Sequence, residues 1–487
     1  MLGEANIRRD DLARIVGDEN VVDDPATLEE YSKDNSFTPP RKPFFVVYPS
    51  SPEEVREIVV LASRRGIPLI PVSSGPPRFK GDTVPSMGGV VVDLTRMNNV
   101  LRVDRRNRIA MIQPGVTFKQ LRDELEKHGL LPLMPLRPKL RKSALASYLE
   151  REPITTPKYH WEPLDPLLCT EVILGTGDVL RTGSAAGPGE IDELISLGHG
   201  LASPLGPAQA DFVRFFHGAQ GTMGIVTWAT VRCRVKPSLQ QLVVAKSDSL
   251  KKLIPLAYRL LRRRLGEELL ILNNSYLSYL LGRHPDEGEA ASLPAWVLIT
   301  VLAGYTFFPE ERVEYQLGEV EEAAKSLKLE LTDELDGVDS STILGVLQSP
   351  SKEPYWKLRY KGGCQDVFFL TTLNMTPMFW REFMELSRMK GYPEGDVGVY
   401  IQPIIQGCAA HLEFTLPYDP EAEGELVRVF FQDASRAMFR LGAFYSRPYG
   451  LWAEIAYGGD AETTSVLRKL KGIFDPNGIF NPGKLCF

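Results

Sequence analysis

Residues 44–75 read FFVVYPSSPEEVREIVVLASRRGIPLIPVSSG, and they carry the clearest secondary-structure pattern of the chain. It opens with a short apolar run ended by proline, which predicts a strand. Ser51 then supplies a helix N-cap, Pro52 takes the first helical position, and apolar residues recur at helical spacing until Gly66. A second apolar run over 67–72 predicts another strand. The stretch therefore predicts a strand–helix–strand unit.

The same alternation of short strands and helices continues towards the C-terminus. We predict strands over 90–94, 100–103 and 109–112, an amphipathic helix over 117–128, and a strand hairpin over 171–182. Residues 137–160 are proline-rich and basic with little periodicity, which predicts a long structured loop. The composition changes after Pro237, where a basic amphipathic helix over 249–264 follows. These segments predict an α+β protein of two domains, with a turn-rich tail that returns to the first domain.

The charge balance and the cysteine pattern exclude several classes of protein. The 487 residues include 56 basic and 62 acidic side chains, a net charge of −6, so nucleic acid is not an expected partner. No stretch approaches about 18 consecutive apolar residues, and the N-terminus lacks the apolar core of a signal peptide. The five cysteines are widely separated and odd in number, which excludes CxxC motifs and fits a reducing compartment. We therefore expect a cytoplasmic protein without a transmembrane segment.

Familiar catalytic motifs are absent from the sequence. There is no GxGxxG, GxxxxGK[ST], HExxH or GxSxG, and the six histidines do not pair at metal-ligand spacing, so no metal site is expected. The loop Ser73-Ser74-Gly75-Pro76-Pro77 does follow a predicted strand, and its small residues and hydroxyls suit an anion. Its two prolines remove backbone donors, so a plain connecting loop is the alternative.

Three ordered stretches identify the chain as similar to a family of flavoproteins. The family is typified by vanillyl-alcohol oxidase, p-cresol methylhydroxylase and the glycolate oxidase flavin subunit. The matching stretches are 49–55 continuing through 72–75, 91–98 and 113–117; then FHGAQGTMGIVT at 216–227; and finally FDPNGIFNPGK at 474–484. The resemblance covers nearly the whole chain.

This resemblance implies an FAD-binding domain of the p-cresol methylhydroxylase type over 1–240 and a cap domain over 241–455. The segment 456–487 would pack back on the FAD-binding domain. The cap histidine that binds flavin covalently in some relatives has no counterpart, so noncovalent FAD is expected, with Tyr355 and Tyr360 as the alternative of a tyrosyl link. The residues implied to bind FAD are Ser73, Ser74, Gly75, Pro76, Pro77, Lys80, Gly81, Pro114, Thr156, Pro157, His160, Gly221, Gly224, Ile225, Val226 and Asn481.

Two branches of the family compete for the substrate. The phenol-oxidising branch is similar over 150–152 and 156–161, and it has a late tyrosine–arginine pair that resembles Tyr445, Arg447 and Tyr449. An arginine facing a phenol lowers the phenol's pKa and stabilises the phenolate. The alternative is that Arg447 forms an interdomain ion pair and both tyrosines are core residues. Lys80 stands where this branch places a substrate tyrosine, which weakens the resemblance.

The 2-hydroxy-acid branch would predict a late histidine-rich metal site. This chain has only His411 and Glu413 there, alternating along a predicted strand and so sharing one face. His411 is a candidate catalytic base, with a structural histidine as the alternative. Arg447 could equally bind a substrate carboxylate.

The sequence therefore predicts an FAD-dependent oxidoreductase that takes a hydride from a carbon activated by an aromatic ring or a hydroxyl, of the para-substituted phenol or aryl alcohol type. A D-2-hydroxy-acid dehydrogenase of the glycolate or lactate type is the alternative, and a non-catalytic flavin-binding subunit of a larger complex is a third possibility. No haem or iron–sulfur motif is present, so electrons are expected to pass to oxygen or to a separate protein. The basic run over 137–151 is either a solvated face or a docking surface for that carrier. The chain could also form a homo-oligomer.

Overall fold

The structure is a computed structural model that describes residues 7–162, 164–207, 210–283, 293–335 and 337–487. Across these residues the strands form three sheets, two in the N-terminal region (7–235) and one of seven strands further along. The first sheet has four strands, in the spatial order Val21–Val22, Phe45–Val47, Val90–Asp93 and Leu69–Val72.

The predicted strand–helix–strand unit is confirmed in this first sheet. The helix spans Pro52–Arg65, the Oγ of Ser51 accepts a hydrogen bond from the N–H of Glu54 at 3.2 Å, and Gly66 ends it in the left-handed conformation at φ 65°. The strands on either side of the helix both pair in parallel with Val90–Asp93, which lies between them. The loop that begins at Ser73 therefore leaves the carboxyl end of an edge strand.

The second sheet is antiparallel and completes the N-terminal region. Its strands run in the order Val100–Asp104, Ile109–Ile112, Ile225–Val235, Leu167–Ile173 and Val179–Arg181, and Leu130–Pro132 also pairs with the long central strand. The predicted hairpin over 171–182 is confirmed, since Glu171 pairs with Arg181. The glycine-bearing stretch 216–227 leads directly into the central strand.

The third sheet defines the seven-stranded region (239–440). Its strands run in the order Glu330–Thr332, Leu239–Ser247, Trp296–Gly304, Leu269–Asn273, Gly398–Ile404, Ala409–Tyr418 and Gly363–Thr371. One face packs on long helices through residues such as Ile401, Leu412 and Phe414. The opposite face carries Tyr400 and meets Leu136 of the N-terminal region. Because side chains alternate along a strand, His411 and Glu413 lie on that second face.

The helices surround the sheets of the two regions and continue into the tail. In the N-terminal region, besides the helix already given, they span Arg9–Val16, Pro25–Ser32, Phe118–Lys127, Ala144–Leu149, Ile191–Ser196 and Val213–Phe216. The later helices span Leu250–Arg263, Asn274–Leu281, Pro309–Ser326, Ser340–Gln348, Thr376–Lys390, Gly424–Arg440, Leu451–Tyr457 and Ala461–Phe474. Short 3-10 helices span Asp18–Asn20, Leu94–Arg96, Pro157–Tyr159, Gly183–Ala185, Trp356–Leu358, Leu373–Met375, Glu394–Asp396 and Ile405–Gly407. Among the residues described above, none of the helices combines the length and apolar character needed to cross a membrane.

The prediction of a loop over 137–160 is wrong in its middle, which forms the helix Ala144–Leu149. The Oγ of Ser143 caps this helix by accepting from the N–H of Ala146 at 3.0 Å. The helix is short, and three prolines, at 138, 153 and 157, surround it in the sequence, which hides its periodicity. It packs on the second sheet through Ala144 and Leu145.

The tail returns to the N-terminal region as predicted. Phe480 forms a parallel bridge with Leu69, and the N–H of Asn481 donates to the carbonyl oxygen of Leu69 at 2.9 Å. The buried ammonium of Lys471 binds Asp475 and the carbonyl oxygen of Phe480, which fixes the turn. The last residues of the chain are thereby held beside the loop that follows Val72.

Candidate functional site

A cleft lies between the two regions, with about 1770 Å³ of empty space that includes its open mouth. One wall comes from the N-terminal region: the loop after Val72, part of 135–153, and the stretch 216–226. The other wall comes from the second face of the seven-stranded sheet and from the connection that carries Arg447 and Tyr449.

The loop 73–77 packs against the basic segment that precedes the helix Ala144–Leu149. The N–H of Gly75 donates to the carbonyl oxygen of Arg141 at 3.0 Å, and the N–H of Ser143 donates to Oγ of Ser74 at 3.1 Å. A Cβ on Gly75 would lie 2.9 Å from the side chain of Arg141, so a larger residue there would displace Arg141. Since Pro76 and Pro77 have no N–H, this loop offers fewer free backbone donors than a glycine-rich loop would.

Two lysines on the cleft wall are neutralised by two carboxylates. The ammonium of Lys80 lies 2.6 Å from Glu150 and 2.9 Å from Glu152, and that of Lys142 lies 2.8 and 3.2 Å from the same two groups. Burial alone would lower the pKa of Lys80, but the charges of both glutamates outweigh the effect of burial and raise this pKa well above its usual range. We call these four residues the paired network.

Two further cations of the same wall have no carboxylate partner among the described residues. The Nζ of Lys139 lies 3.0 Å from the carbonyl oxygen of Gly75 and 2.6 Å from that of Pro77. Arg78 is 7% exposed, its guanidinium covers the ring of Tyr31 at 4.4 Å, and its Nη2 is buried without a hydrogen-bond partner. Both side chains line the cleft beside the loop 73–77.

The stretch 216–226 contributes backbone and small side chains to the cleft. Gly221 has φ 69°, and a Cβ there would lie 3.0 Å from the ring of Pro71. A Cβ at Gly224 would lie 2.6 Å from Cγ1 of Val172. Packing within the protein therefore already requires both glycines, and their backbone is left facing the cleft together with Ile225.

The tail supports the loops of this wall from behind. The side-chain amide of Asn481 donates at 2.8 Å to the carbonyl oxygens of both Asp82 and Gln220, so it joins the two loops. Lys484 donates to the carbonyl oxygen of Gly81 at 2.8 Å. The carboxyl of Asp82 lines the cleft, and burial together with the nearby Glu150 raises the pKa of Asp82 to about 6.

The opposite wall is aromatic and carries one unpaired cation. Its aromatic side chains, with one from the facing loop, are Phe79, Tyr276, Tyr355, Phe368, Tyr400 and Tyr449. The guanidinium of Arg447 lies 4.1 Å above the ring of Phe368 and is 6% exposed. Within the described part of the chain, no carboxylate pairs with it.

A buried charge cluster lies beside Arg447 on the sheet. The ammonium of Lys357 lies 2.7 Å from both Asp366 and Glu413, and Glu413 also accepts from the hydroxyl of Tyr276 at 3.1 Å. Burial alone would raise the pKa of Glu413, but Lys357 and His411 outweigh it and lower this pKa. Burial and the charge of Glu413 raise the pKa of Asp366. The pKa values of these two carboxyl groups are thus shifted in opposite directions, which is also a feature of sites that transfer protons.

The structure brings many of the predicted residues together at the cleft. Those that line it are Ser73, Ser74, Lys80, Pro114, Gly221, Gly224, Ile225, Val226, Arg447 and Tyr449. Gly75, Pro76, Pro77, Gly81 and Asn481 lie directly behind this lining, where they shape the loops. Of the two tyrosines considered for a covalent link, Tyr355 lines the cleft, whereas the hydroxyl of Tyr360 lies 3.4 Å from Asp396.

Other predicted residues lie away from the cleft. The hydroxyl of Tyr445 donates to the carbonyl oxygen of Ser435 at 2.7 Å and its ring stacks on Trp452, so its contacts are those of a core residue. His411 lies behind the lining, 3.4 Å from Glu413, and burial lowers the pKa of His411 to about 4. These contacts favour the structural alternative for both side chains.

Thr156, Pro157 and His160 do not line the cleft either. Pro157 and His160 form a different contact between the two regions, in which Nδ1 of His160 accepts from the N–H of Ile405 at 2.8 Å. The carbonyl oxygen of Pro157 lies 3.4 Å from the side-chain amide of Gln406. The physical reason is the chain path, since the helix Ala144–Leu149 leads this segment away from the loop 73–77.

Several cleft residues were missed from the sequence. For Glu413, the alternation of side chains along its strand was the feature of the sequence that could have indicated its place in the cleft wall. Lys139 and Lys142 belong to the basic run for which the sequence predicts either a solvated face or a docking surface, yet both line the cleft, and Lys142 is buried. Lys357 and Asp366 gave no signal, because 56 and 47 residues of chain respectively separate them from Glu413. In the part of the chain that the structure describes, no group of three His, Cys, Asp or Glu side chains is arranged to hold a metal ion.

The cleft fits FAD by the chemistry of its walls. A diphosphate needs cationic or N–H donors, and Lys139 and the unpartnered Nη2 of Arg78 supply them beside the predicted pyrophosphate loop. A flat aromatic ring system needs an apolar slot with backbone on one side, which 221–226 and the aromatic wall provide. The described residues therefore match the cofactor implied by the sequence resemblance.

Comparisons with known proteins agree with this assignment. A family model for the FAD binding domain matches residues 43–139, and one for the C-terminal domain of FAD linked oxidases matches residues 410–485. An uncharacterized FAD-linked oxidoreductase of Mycobacterium tuberculosis is 25% identical over 97% of each chain. D-2-hydroxyglutarate dehydrogenase of Stutzerimonas stutzeri is 25% identical over 98% of each chain. The solved structure of p-cresol methylhydroxylase with substrate bound shares the fold, with a TM-score of 0.83 and 18% identity, over 98% of this chain and 96% of that one.

Proposed function

Because the chain belongs to the vanillyl-alcohol oxidase and p-cresol methylhydroxylase superfamily of FAD-linked oxidoreductases, we propose that it oxidises a small aromatic substrate bearing a hydroxyl group. The carbon oxidised is the one attached to the ring opposite that hydroxyl. Bound FAD supplies the chemistry by accepting a hydride, and the protein positions the substrate and stabilises its charge.

The observation that carries this proposal is the unpaired guanidinium of Arg447. A buried cation without a counter-ion is costly, and an anionic oxygen delivered by a ligand offsets that cost. Phenol hydroxyls ionise more readily beside a fixed positive charge. Arg447 therefore favours the phenolate form of a bound substrate, and Tyr449, two residues away on the same wall, is the second side chain assigned to this pocket.

The aromatic wall supports an aryl substrate in particular. Phe368, Tyr400 and Tyr449 line the cleft around Arg447, and aromatic rings pack favourably edge to face or offset against one another. A small aliphatic acid would leave most of this surface uncovered. The wall thus complements the ring of the substrate while Arg447 complements its oxygen.

The reaction balances with FAD as the hydride acceptor and solvent as the proton acceptor. The substrate loses one hydride from carbon and, as the phenol ionises beside Arg447, one proton from its hydroxyl to solvent, and it becomes a quinone methide that adds water or rearranges. Arg447 keeps the substrate oxygen ionised, and the electrons of that oxygen assist hydride departure, so the cation raises the population of the reactive form. The two electrons then leave to oxygen or to a separate acceptor protein, which we include in the proposal.

A D-2-hydroxy acid is the second candidate substrate. It is favoured by the cluster of Lys357, Asp366 and Glu413, whose carboxylates could accept the proton of an aliphatic hydroxyl. The guanidinium of Arg447 would then bind the substrate carboxylate. The relative that is named a D-2-hydroxyglutarate dehydrogenase aligns along the whole chain, in keeping with this candidate.

An anaerobic titration of the FAD-loaded protein separates the two candidates. We expect p-cresol to bleach the visible flavin band and D-2-hydroxyglutarate to leave it unchanged. Bleaching by the hydroxy acid alone would contradict the proposal and favour the second candidate. Dithionite serves as the control for an intact, reducible flavin in both titrations.

A further inference from the structure

We propose that the diphosphate of bound FAD is held mainly by the side chains of Lys139 and Arg78, and not by backbone N–H groups of the loop 73–77. The inference concerns FAD binding alone and does not depend on which substrate is oxidised. It assigns a binding role to two residues of a basic segment and a loop that otherwise only shape the cleft.

The first argument is the shortage of backbone donors in the loop. Pro76 and Pro77 carry no N–H, and the N–H of Gly75 is already used by the carbonyl oxygen of Arg141 at 3.0 Å. A glycine-rich loop binds phosphate by turning successive N–H groups towards it. This loop is unable to do so at three of its five residues, so the charge must be met by other groups.

The second argument is that the missing donors are present as side chains. The ammonium of Lys139 uses two of its three N–H groups on the carbonyl oxygens of Gly75 and Pro77, at 3.0 and 2.6 Å. The loop thereby holds this charge at the cleft surface with one donor to spare. The Nη2 of Arg78 is buried, lacks a partner, and belongs to a side chain that is 7% exposed.

The third argument is the contrast with the paired network. Lys80 and Lys142 line the same wall, but Glu150 and Glu152 already neutralise them. Their charge is not available to a ligand without breaking two short ion pairs. Lys139 and Arg78 are therefore the cations of this wall left for an anion.

A dependence of FAD affinity on pH follows from the surroundings of Lys139. Burial, together with the positive charges of Lys142 and Arg78, lowers the pKa of Lys139 to about 7 despite the opposing effect of Glu150 and Glu152. A bound diphosphate raises this pKa again, so binding above about pH 7 takes up a proton. The Kd for FAD should therefore increase as the pH rises above about 7.

Flavin-free protein, produced in a host starved of riboflavin, provides the test. FAD and riboflavin are titrated separately into wild type, K139M, K139R, R78M and R141M, and flavin fluorescence gives each Kd. Arg141 is the matched control, because it is a neighbouring exposed cation that does not line the cleft. Circular dichroism checks that each variant is folded.

We expect K139M and R78M each to raise the Kd for FAD about 10- to 100-fold, the usual effect of losing a charge-assisted hydrogen bond. Their Kd for riboflavin, which lacks the diphosphate, should match that of wild type, and K139R and R141M should bind FAD nearly normally. K139M should also lose the pH dependence above about pH 7.

Equal FAD affinities for K139M and R141M would overturn the inference, as would equal losses for FAD and riboflavin. If the methionine variants fail to fold, a wild-type Kd for FAD that does not increase with salt would overturn it as well.

Discussion

Cations line both walls of the cleft, but the paired network and the Arg447 site treat them in opposite ways. Lys80 and Lys142 each meet two carboxylates within 3.2 Å. Arg447 meets an aromatic ring and, among the described residues, no carboxylate. Lys142 and Arg447 are both buried, so the difference between them lies in how the charge is balanced and not in exposure.

The difference separates structural charges from charges kept for a ligand. A buried ion pair is complete in the folded protein, and removing one partner leaves the other uncompensated. An unpaired buried cation is a cost to folding that a bound anion removes. The two sites should therefore respond to mutation in opposite ways, one through stability and one through the reaction.

The largest expected effect is on the reaction of R447A. The rate constant for flavin reduction by the substrate should fall about 10²- to 10³-fold, since the cation keeps the bound phenol in its ionised form, whose oxygen electrons expel the hydride. Anaerobic stopped-flow absorption measures this rate, and the flavin content reports FAD binding. R447K should lose less, and the exposed R436A should react like wild type. An unchanged rate in R447A would remove Arg447 from the substrate pocket.

The next effect is on the stability of E150Q. This change leaves Lys80 and Lys142 with only one full counter-charge, and we expect the free energy of unfolding to fall by about 3 kcal/mol. Urea denaturation measures this fall, and the exposed E57Q is the control with the same chemical change. R447A should lose little stability in the same assay. If R447A were the less stable variant, the division into structural and ligand-binding cations would be wrong.

The smallest effect concerns Asp82, which lines the cleft near Glu150 of the paired network. Its pKa is raised from 3.8 to about 6, so the protonated form is favoured in the folded protein. Its contribution to stability is therefore present at low pH and is lost as the pH rises from about 4 to about 6. The stability advantage of D82N over wild type should be greater at pH 7 than at pH 4, as followed by thermal or urea unfolding. An advantage independent of pH would contradict the shifted pKa.

How far the sequence predicts this molecule depends on the range of the interactions involved. The helix between Ser51 and Gly66 was predictable because its cap, its first proline and its terminating glycine are local. The return of the tail was also predictable, from its turn-rich composition and the family resemblance. Arg447 was proposed from its resemblance to a tyrosine–arginine pair, but its pairing state depends on residues far away in the chain.

The failures have the same origin. Tyr445 and Tyr449 look alike in sequence, and only the packing of Trp452 and Ser435 makes the first a core residue. His160 was expected near the flavin, but the helix after Ser143 redirects the chain towards Ile405. Lys139 belongs to a basic run with no predicted role in the cleft, because its two carbonyl partners lie 64 and 62 residues earlier. Tertiary contacts that no local sequence pattern reveals decided each of these cases.

The most direct test of the account is the ionisation of a phenol bound in the cleft. The absorption of 4-nitrophenol reports its protonation, so its apparent pKa is measurable free in solution, bound to FAD-loaded wild type, and bound to R447A. We predict that binding to wild type lowers this pKa and that R447A abolishes the shift. A bound phenol whose pKa is unchanged or raised in wild type would contradict the claim that Arg447 receives an anionic substrate oxygen.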